Sequence, residues 1–142
     1  LKKLCVALCI ISLLAVFGNA QELGVRFGDI VGNNVAVDAV FGFKGQRIHA
    51  DVSFGDGVGI EMLYDPLVKP LQGEAFYYYI GIGAFTWLGD PFRLGLSAEL
   101  GLEYRFNSVP IAIGVDWRPS LRLIDNTKFL ADRFGFNVRW VF

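Results

Sequence analysis

After residue 20 the sequence holds no cysteine; its only two, Cys5 and Cys9, lie near the start. A disulfide framework, a thiolate metal site and a thiol nucleophile are thereby excluded from the remainder. Histidine is nearly absent as well, with His49 as the sole example. There is no excess of one charge: 13 Lys and Arg face 14 Asp and Glu, a formal net charge of −1. Nothing in that balance attracts nucleic acid, and no acidic tail is present. Also missing beyond the N-terminus is any run near the roughly 20 apolar residues of a membrane helix. Yet the chain is 54% hydrophobic. That hydrophobicity must be dispersed through short segments.

What is there divides at residue 20. Lys2 and Lys3 form a positive start, Leu4 to Phe17 is apolar apart from Ser12, and Gly18-Asn19-Ala20 supplies small residues for a peptidase. This pattern predicts a secretory signal peptide over 1–20, cut before Gln21, and one domain over 21–142. Lipidation is not expected, because Leu4 and Leu8 precede the two cysteines where a small residue is needed.

From Gln21 onward the period is two, which argues strand. Between Phe92 and Phe106, Leu94, Leu96, Ala98, Leu100, Leu102 and Tyr104 fall on one face. Arg93, Gly95, Ser97, Glu99, Gly101, Glu103 and Arg105 fall on the other. Ile111 to Arg118 and Arg133 to Phe142 repeat the pattern, and weaker copies run through 23–28, 35–43, 47–54 and 58–64. In Phe76 to Trp87, Gly81 and Gly83 put a small inward face at odd positions. Turn residues separate the segments at Gly32-Asn33-Asn34, Lys44-Gly45-Gln46, Gly55-Asp56-Gly57, Leu88-Gly89-Asp90-Pro91 and Asn107-Ser108. Asp65 to Glu74 and Pro119 to Lys128 read as longer connectors. The sum is all-β: about eight strands, the smallest closed barrel bacteria place in a membrane.

Periodicity alone also fits a soluble eight-stranded barrel. The composition of the faces separates the two. One face is continuously bulky and apolar, and a narrow lumen would not hold it; the other interleaves glycine with charge. Bulk against lipid and charge inside is the arrangement of an antiparallel up-and-down transmembrane β-barrel. On this register the inward cations are Arg26, Arg47, Arg93, Arg105, Arg118, Arg133 and Arg139, and the inward acids Asp38, Asp51, Glu61, Glu99, Glu103 and Asp116. The set is nearly balanced, and every cation is arginine, whose fork suits buried carboxylates. Lys44, Lys69 and Lys128 fall in turns or connectors. The aromatics Tyr104, Phe106, Trp117 and Trp140 near strand ends suit interfacial girdles.

The tail, through Arg133, Gly135, Val138, Trp140 and Phe142, resembles the C-terminal assembly signal of outer-membrane barrels. That resemblance implies recognition by the barrel-assembly machinery. Gly101 to Phe106, Pro110, and Val115-Asp116-Trp117-Arg118-Pro119 look like uncharacterised small outer-membrane proteins of Bacteroidota-type bacteria. The resemblance covers most of the chain after residue 20. It implies a barrel the size of OmpX or the OmpA membrane domain, in contact with outer-membrane lipid and lipopolysaccharide, and it carries no activity. Counting from a periplasmic N-terminus, it also puts Asp65 to Glu74 where turns are normally short.

Chemistry finds little support. Some small outer-membrane barrels modify lipid A with Ser, His and an acid, and any such site must use His49. Ser53 shares its face, but four residues along a strand is roughly 13 Å. Ser97, Ser108 and Ser120 have no spacing that ties them to His49. His49 reads as a lumen residue satisfied by Asp38, Asp51 or Glu61. One histidine with charges spread along strands offers no ligand cluster, so neither metal nor cofactor is expected. The expectation is a non-enzymatic barrel plugged by arginine and carboxylate, with a lipid-modifying enzyme, a narrow pore and a soluble ligand-binding barrel as alternatives.

Overall fold

A computed structural model describes residues 8, 21–43, 45–71, 75–124 and 126–142. The leader of residues 1–20, with Cys5 and Cys9, lies outside the described residues except Leu8. Ten strands follow: β1 (Glu22–Ile30), β2 (Asn33–Phe43), β3 (Gln46–Phe54), β4 (Val58–Pro70) and β5 (Phe76–Leu88), then β6 (Arg93–Arg105), β7 (Ile111–Trp117), β8 (Ser120–Ile124), β9 (Lys128–Leu130) and β10 (Phe134–Val141).

All pairings are antiparallel. Consecutive hairpins run from β1 to β6, and β6 then pairs with both β7 and β8 along its length. β7 and β8 are thus two halves of one stave broken at Arg118-Pro119, and β9 and β10 are the halves of the next. β10 pairs with β1 and closes the circle, giving an eight-stranded up-and-down barrel. Closure gives the staves of the ring partners on both sides, and among the described residues the short β9 pairs on one side, with β8. Among the described residues no helix is long and apolar enough to cross a membrane, which bears on helices only.

The faces divide as the alternation requires. Val25, Met62, Ile82, Leu96, Leu100 and Val115 are exposed on the outside. Arg26, Asp38, Glu61, Glu99, Asp116 and Arg139 alternate with them and are buried inside. In β5 the odd positions do point inward, but the inner face is not small throughout: Tyr79, Phe85 and Trp87 share it with Gly81 and Gly83.

Both long connectors are shorter than the sequence suggests. β4 continues through Asp65 to Pro70, with the ladder shifting between Tyr64 and Leu67, and only residues 71–75 join it to β5. The shift at Asp65-Pro66 lets the strand pass a proline that cannot donate to the ladder. Likewise Pro119 interrupts a stave without ending it. The Pro119 carbonyl accepts from Ala98 N–H at 2.9 Å, and β8 resumes at Ser120 with the same inward phase. Trp117 therefore lies in mid-stave and not at a strand end, with its ring N–H donating to the Ala131 carbonyl at 2.7 Å. Lys69 and Lys128 belong to β4 and β9, at exposed positions; Lys44 is outside the described residues.

One mouth is closed by its own turn. The β1–β2 reversal is made by Val31 and Gly32, both at positive φ (52° and 89°), and Asn33 already belongs to β2. A β-branched residue at positive φ is strained. Here it carries the Val31 side chain into an apolar cluster with Phe85, Trp87 and Leu130.

Candidate functional site

The lumen is where the unusual chemistry sits. Each stave presents every second residue inward, and a narrow barrel brings residues distant in sequence to within hydrogen-bond reach. At the end opposite the Val31 cluster, Arg139 reaches Glu103 at 2.7 Å, Glu22 at 3.1 Å and Asp38 at 3.7 Å. Arg47 reaches Glu103 at 2.6 Å and Asp65 at 3.0 Å, and its guanidinium lies 4.1 Å from the centre of the Tyr79 ring.

In the middle, Arg118 gathers four carboxylates: Asp51 at 2.5 Å, Glu61 at 2.7 Å, Glu99 at 3.1 Å and Asp116 at 3.5 Å. Arg26 grips Asp116 through Nη2 at 2.5 Å and through Nε at 3.1 Å. Room for that guanidinium comes from Gly135, where a Cβ would collide with it. Towards the Val31 end, Arg133 binds Glu61 through both terminal nitrogens, at 2.8 and 3.0 Å, and Ser120 at 2.5 Å. Ser97 donates to Glu61 at 2.6 Å.

Twelve of the fourteen lumen residues read from the sequence are thus fully or nearly fully buried. The two exceptions are at the ends. Arg105 keeps 30% of its side chain exposed while reaching Glu22 at 2.7 Å. Arg93 is half-buried beside Trp87, 5.9 Å from the ring centre. Of the tail residues, Arg133 and Gly135 face inward, whereas Val138, Trp140 and Phe142 are exposed outside.

Two acids escape the sequence reading. Glu22 and Asp65 are both buried in the lumen. Each lies one alternation step beyond a segment already in phase, so extending β1 backward and β4 forward finds them. They change the charge count. Eight carboxylates are buried against five arginines, and Arg105 and Arg93 add two half-buried cations at the rims. The near-balance expected from sequence stays near, moving from one cation in excess to one acid in excess.

His49 lies at the centre of that excess. Nε2 contacts Asp38, and Nδ1 stands 3.1 Å from Glu99 Oε1. Among the described residues its nitrogens face carboxylates and no serine; Ser53 instead binds Asn33 and the Ile30 carbonyl, each at 3.0 Å. Asp38, His49 and Asp51 offer ligand atoms within 4.8 Å of one another, and so do His49, Asp65 and Glu99. Contrary to the sequence expectation, charges spread along separate strands do converge. The lumen is narrow enough for facing staves to meet.

Compared with protein-family models, curated proteins and solved structures, the chain matches none.

Proposed function

We propose that the chain is an integral outer-membrane β-barrel of a Gram-negative envelope, of the size class of OmpX or the OmpA membrane domain, with a structural or surface-interaction role and no enzymatic activity. The observation that carries the reading is the inversion of the two faces. Leu94, Leu96, Leu100 and Leu102 stand exposed along one strand, while Glu99, Glu103 and the arginines opposite them are buried. In water such an exterior is an aggregation surface; against acyl chains it is the favourable solvent contact. The ion pairs fill the lumen, which favours a plug over a pore. Outer-membrane lipid and lipopolysaccharide are then its surroundings, and the outward residues Val138, Trp140 and Phe142 its contact with the assembly machinery.

The experiment is fractionation followed by a detergent gel. An integral barrel stays in membranes washed with carbonate or urea, and it migrates differently before and after boiling. Release by the wash, or a detergent-free monomer, overturns the reading in favour of a soluble barrel.

A further inference from the structure

We propose that the lumen holds a divalent-cation site formed by His49 Nδ1 and the carboxylates of Asp65 and Glu99. All three side chains are fully buried, and each offers a ligand atom within 4.8 Å of the other two.

Proximity of acids is not the argument. The stronger observation is what each residue leaves open. Asp65 Oδ1 and Glu99 Oε2 accept no hydrogen bond although buried, and His49 Nδ1, 3.1 Å from Glu99 Oε1, makes none. On its other side each residue is held: His49 Nε2 by Asp38, Asp65 Oδ2 by Arg47 at 3.0 Å, and Glu99 Oε1 by Arg118 at 3.1 Å. One edge anchored and one edge vacant is the arrangement of metal ligands with an outer shell. Asp38 in particular accepts from Nε2–H, which directs the imidazole lone pair through Nδ1.

Charge points the same way, independently of geometry. Eight carboxylates are buried against five arginines, with Arg105 and Arg93 half-buried at the rims, so with His49 neutral the lumen carries one uncompensated negative charge. A bound cation offsets that excess. The other convergent set, Asp38, His49 and Asp51, is the weaker site: Asp38 Oδ2 and Asp51 Oδ1 are open too, but Nε2, the nitrogen that faces Asp38, is already engaged by it.

One imidazole and two carboxylates suit zinc, manganese or ferrous iron. Metal–ligand bonds of about 2.0–2.2 Å place ligand atoms about 3–3.5 Å apart. Binding therefore draws the three side chains inward from a spread of up to 4.8 Å. With the site sealed from both mouths, loading belongs to folding and not to later diffusion. The site depends on barrel closure, not on the bilayer, so it stands or falls separately from the membrane assignment.

The test is refolding of the full chain in detergent, with a purification tag free of histidine and with zinc, manganese or ferrous ion present. Gel filtration then removes unbound metal, and elemental analysis counts what stays. One ion per folded chain and a raised thermal midpoint are expected for the wild type. Glu99→Gln and His49→Gln, each checked for folding by heat-modifiability, are expected to lower affinity by about 10–100-fold or more. Asp29→Asn, at an exposed rim position, is expected to keep the ion. Folded wild-type protein that retains no metal overturns the proposal, whatever the variants do. Equal retention by wild type, Glu99→Gln and His49→Gln overturns it too, as adventitious surface binding.

Discussion

Arg118→Met is the most informative single substitution. The Arg118 guanidinium is fully buried and touches carboxylates from β3, β4, β6 and β7. Its removal does not strand all four. Glu61 keeps Arg133 and Ser97, and Asp116 keeps Arg26. Asp51 and Glu99, by contrast, have their hydrogen bonds from Arg118 alone among the described residues. The cost is thus at least that of one uncompensated buried charge, about 3–5 kcal/mol. Replacing both partners, Arg118→Met with Asp51→Leu, is expected to recover most of that loss, because a buried pair exchanged for apolar bulk is often neutral. Urea unfolding in phospholipid vesicles, followed by fluorescence of the three tryptophans, measures both variants. A single-variant loss below about 1 kcal/mol, or a double variant whose losses simply add, refutes the reasoning. Arg105→Met is the comparison: that side chain is 30% exposed and Glu22 retains Arg139, so about 1 kcal/mol or less is expected.

The remaining predictions concern the wall and the bore. Leu100→Arg places a charge on the outer face and should cost about 2–4 kcal/mol in lipid near the midplane; Leu100→Phe should cost little, and equal effects would mean the face is not in hydrocarbon. Gly101→Ala puts a methyl group into the Tyr79 ring, so a loss of about 1–3 kcal/mol is expected from overpacking, with unchanged or raised stability counting against the packing described. Purified wild-type protein in planar bilayers should show no steady ion conductance; a steady current would favour a narrow pore.

Much of the wall was legible because alternation survives wherever a strand has lipid-sized residues on one side and charge or glycine on the other. The stretch from Leu94 to Arg105 needs no other information. Two misreadings fall at prolines, which interrupt the alternation without ending a stave. Pro66 and Pro119 lie within staves that continue past them, β4 with a one-residue shift of register and β8 with the inward phase of β7; reading 65–74 and 119–128 as connectors shortened two staves, hid Asp65 and moved Trp117 to an edge it does not occupy. The consecutive Tyr77, Tyr78 and Tyr79 obscured phase by bulk, since only Tyr79 is fully buried. The lumen contacts were illegible for a different reason. Register along a strand says which way a side chain points, but not which side chain waits across the bore; His49 meeting Glu99, or Arg47 meeting Glu103, depends on the curvature of the whole ring.

The seam between β1 and β10 has a consequence for assembly. Leu23 pairs with Trp140 and Phe27 with Phe136, so the earliest strand waits for the latest before its second flank is covered. Until then the half-built wall offers two bare backbone rims and a core of unmatched ions to whatever is nearby. Such a chain gains little by folding piecemeal. Its stability arrives with the final hairpin, and a cell that makes it has every reason to keep the unfinished polypeptide escorted.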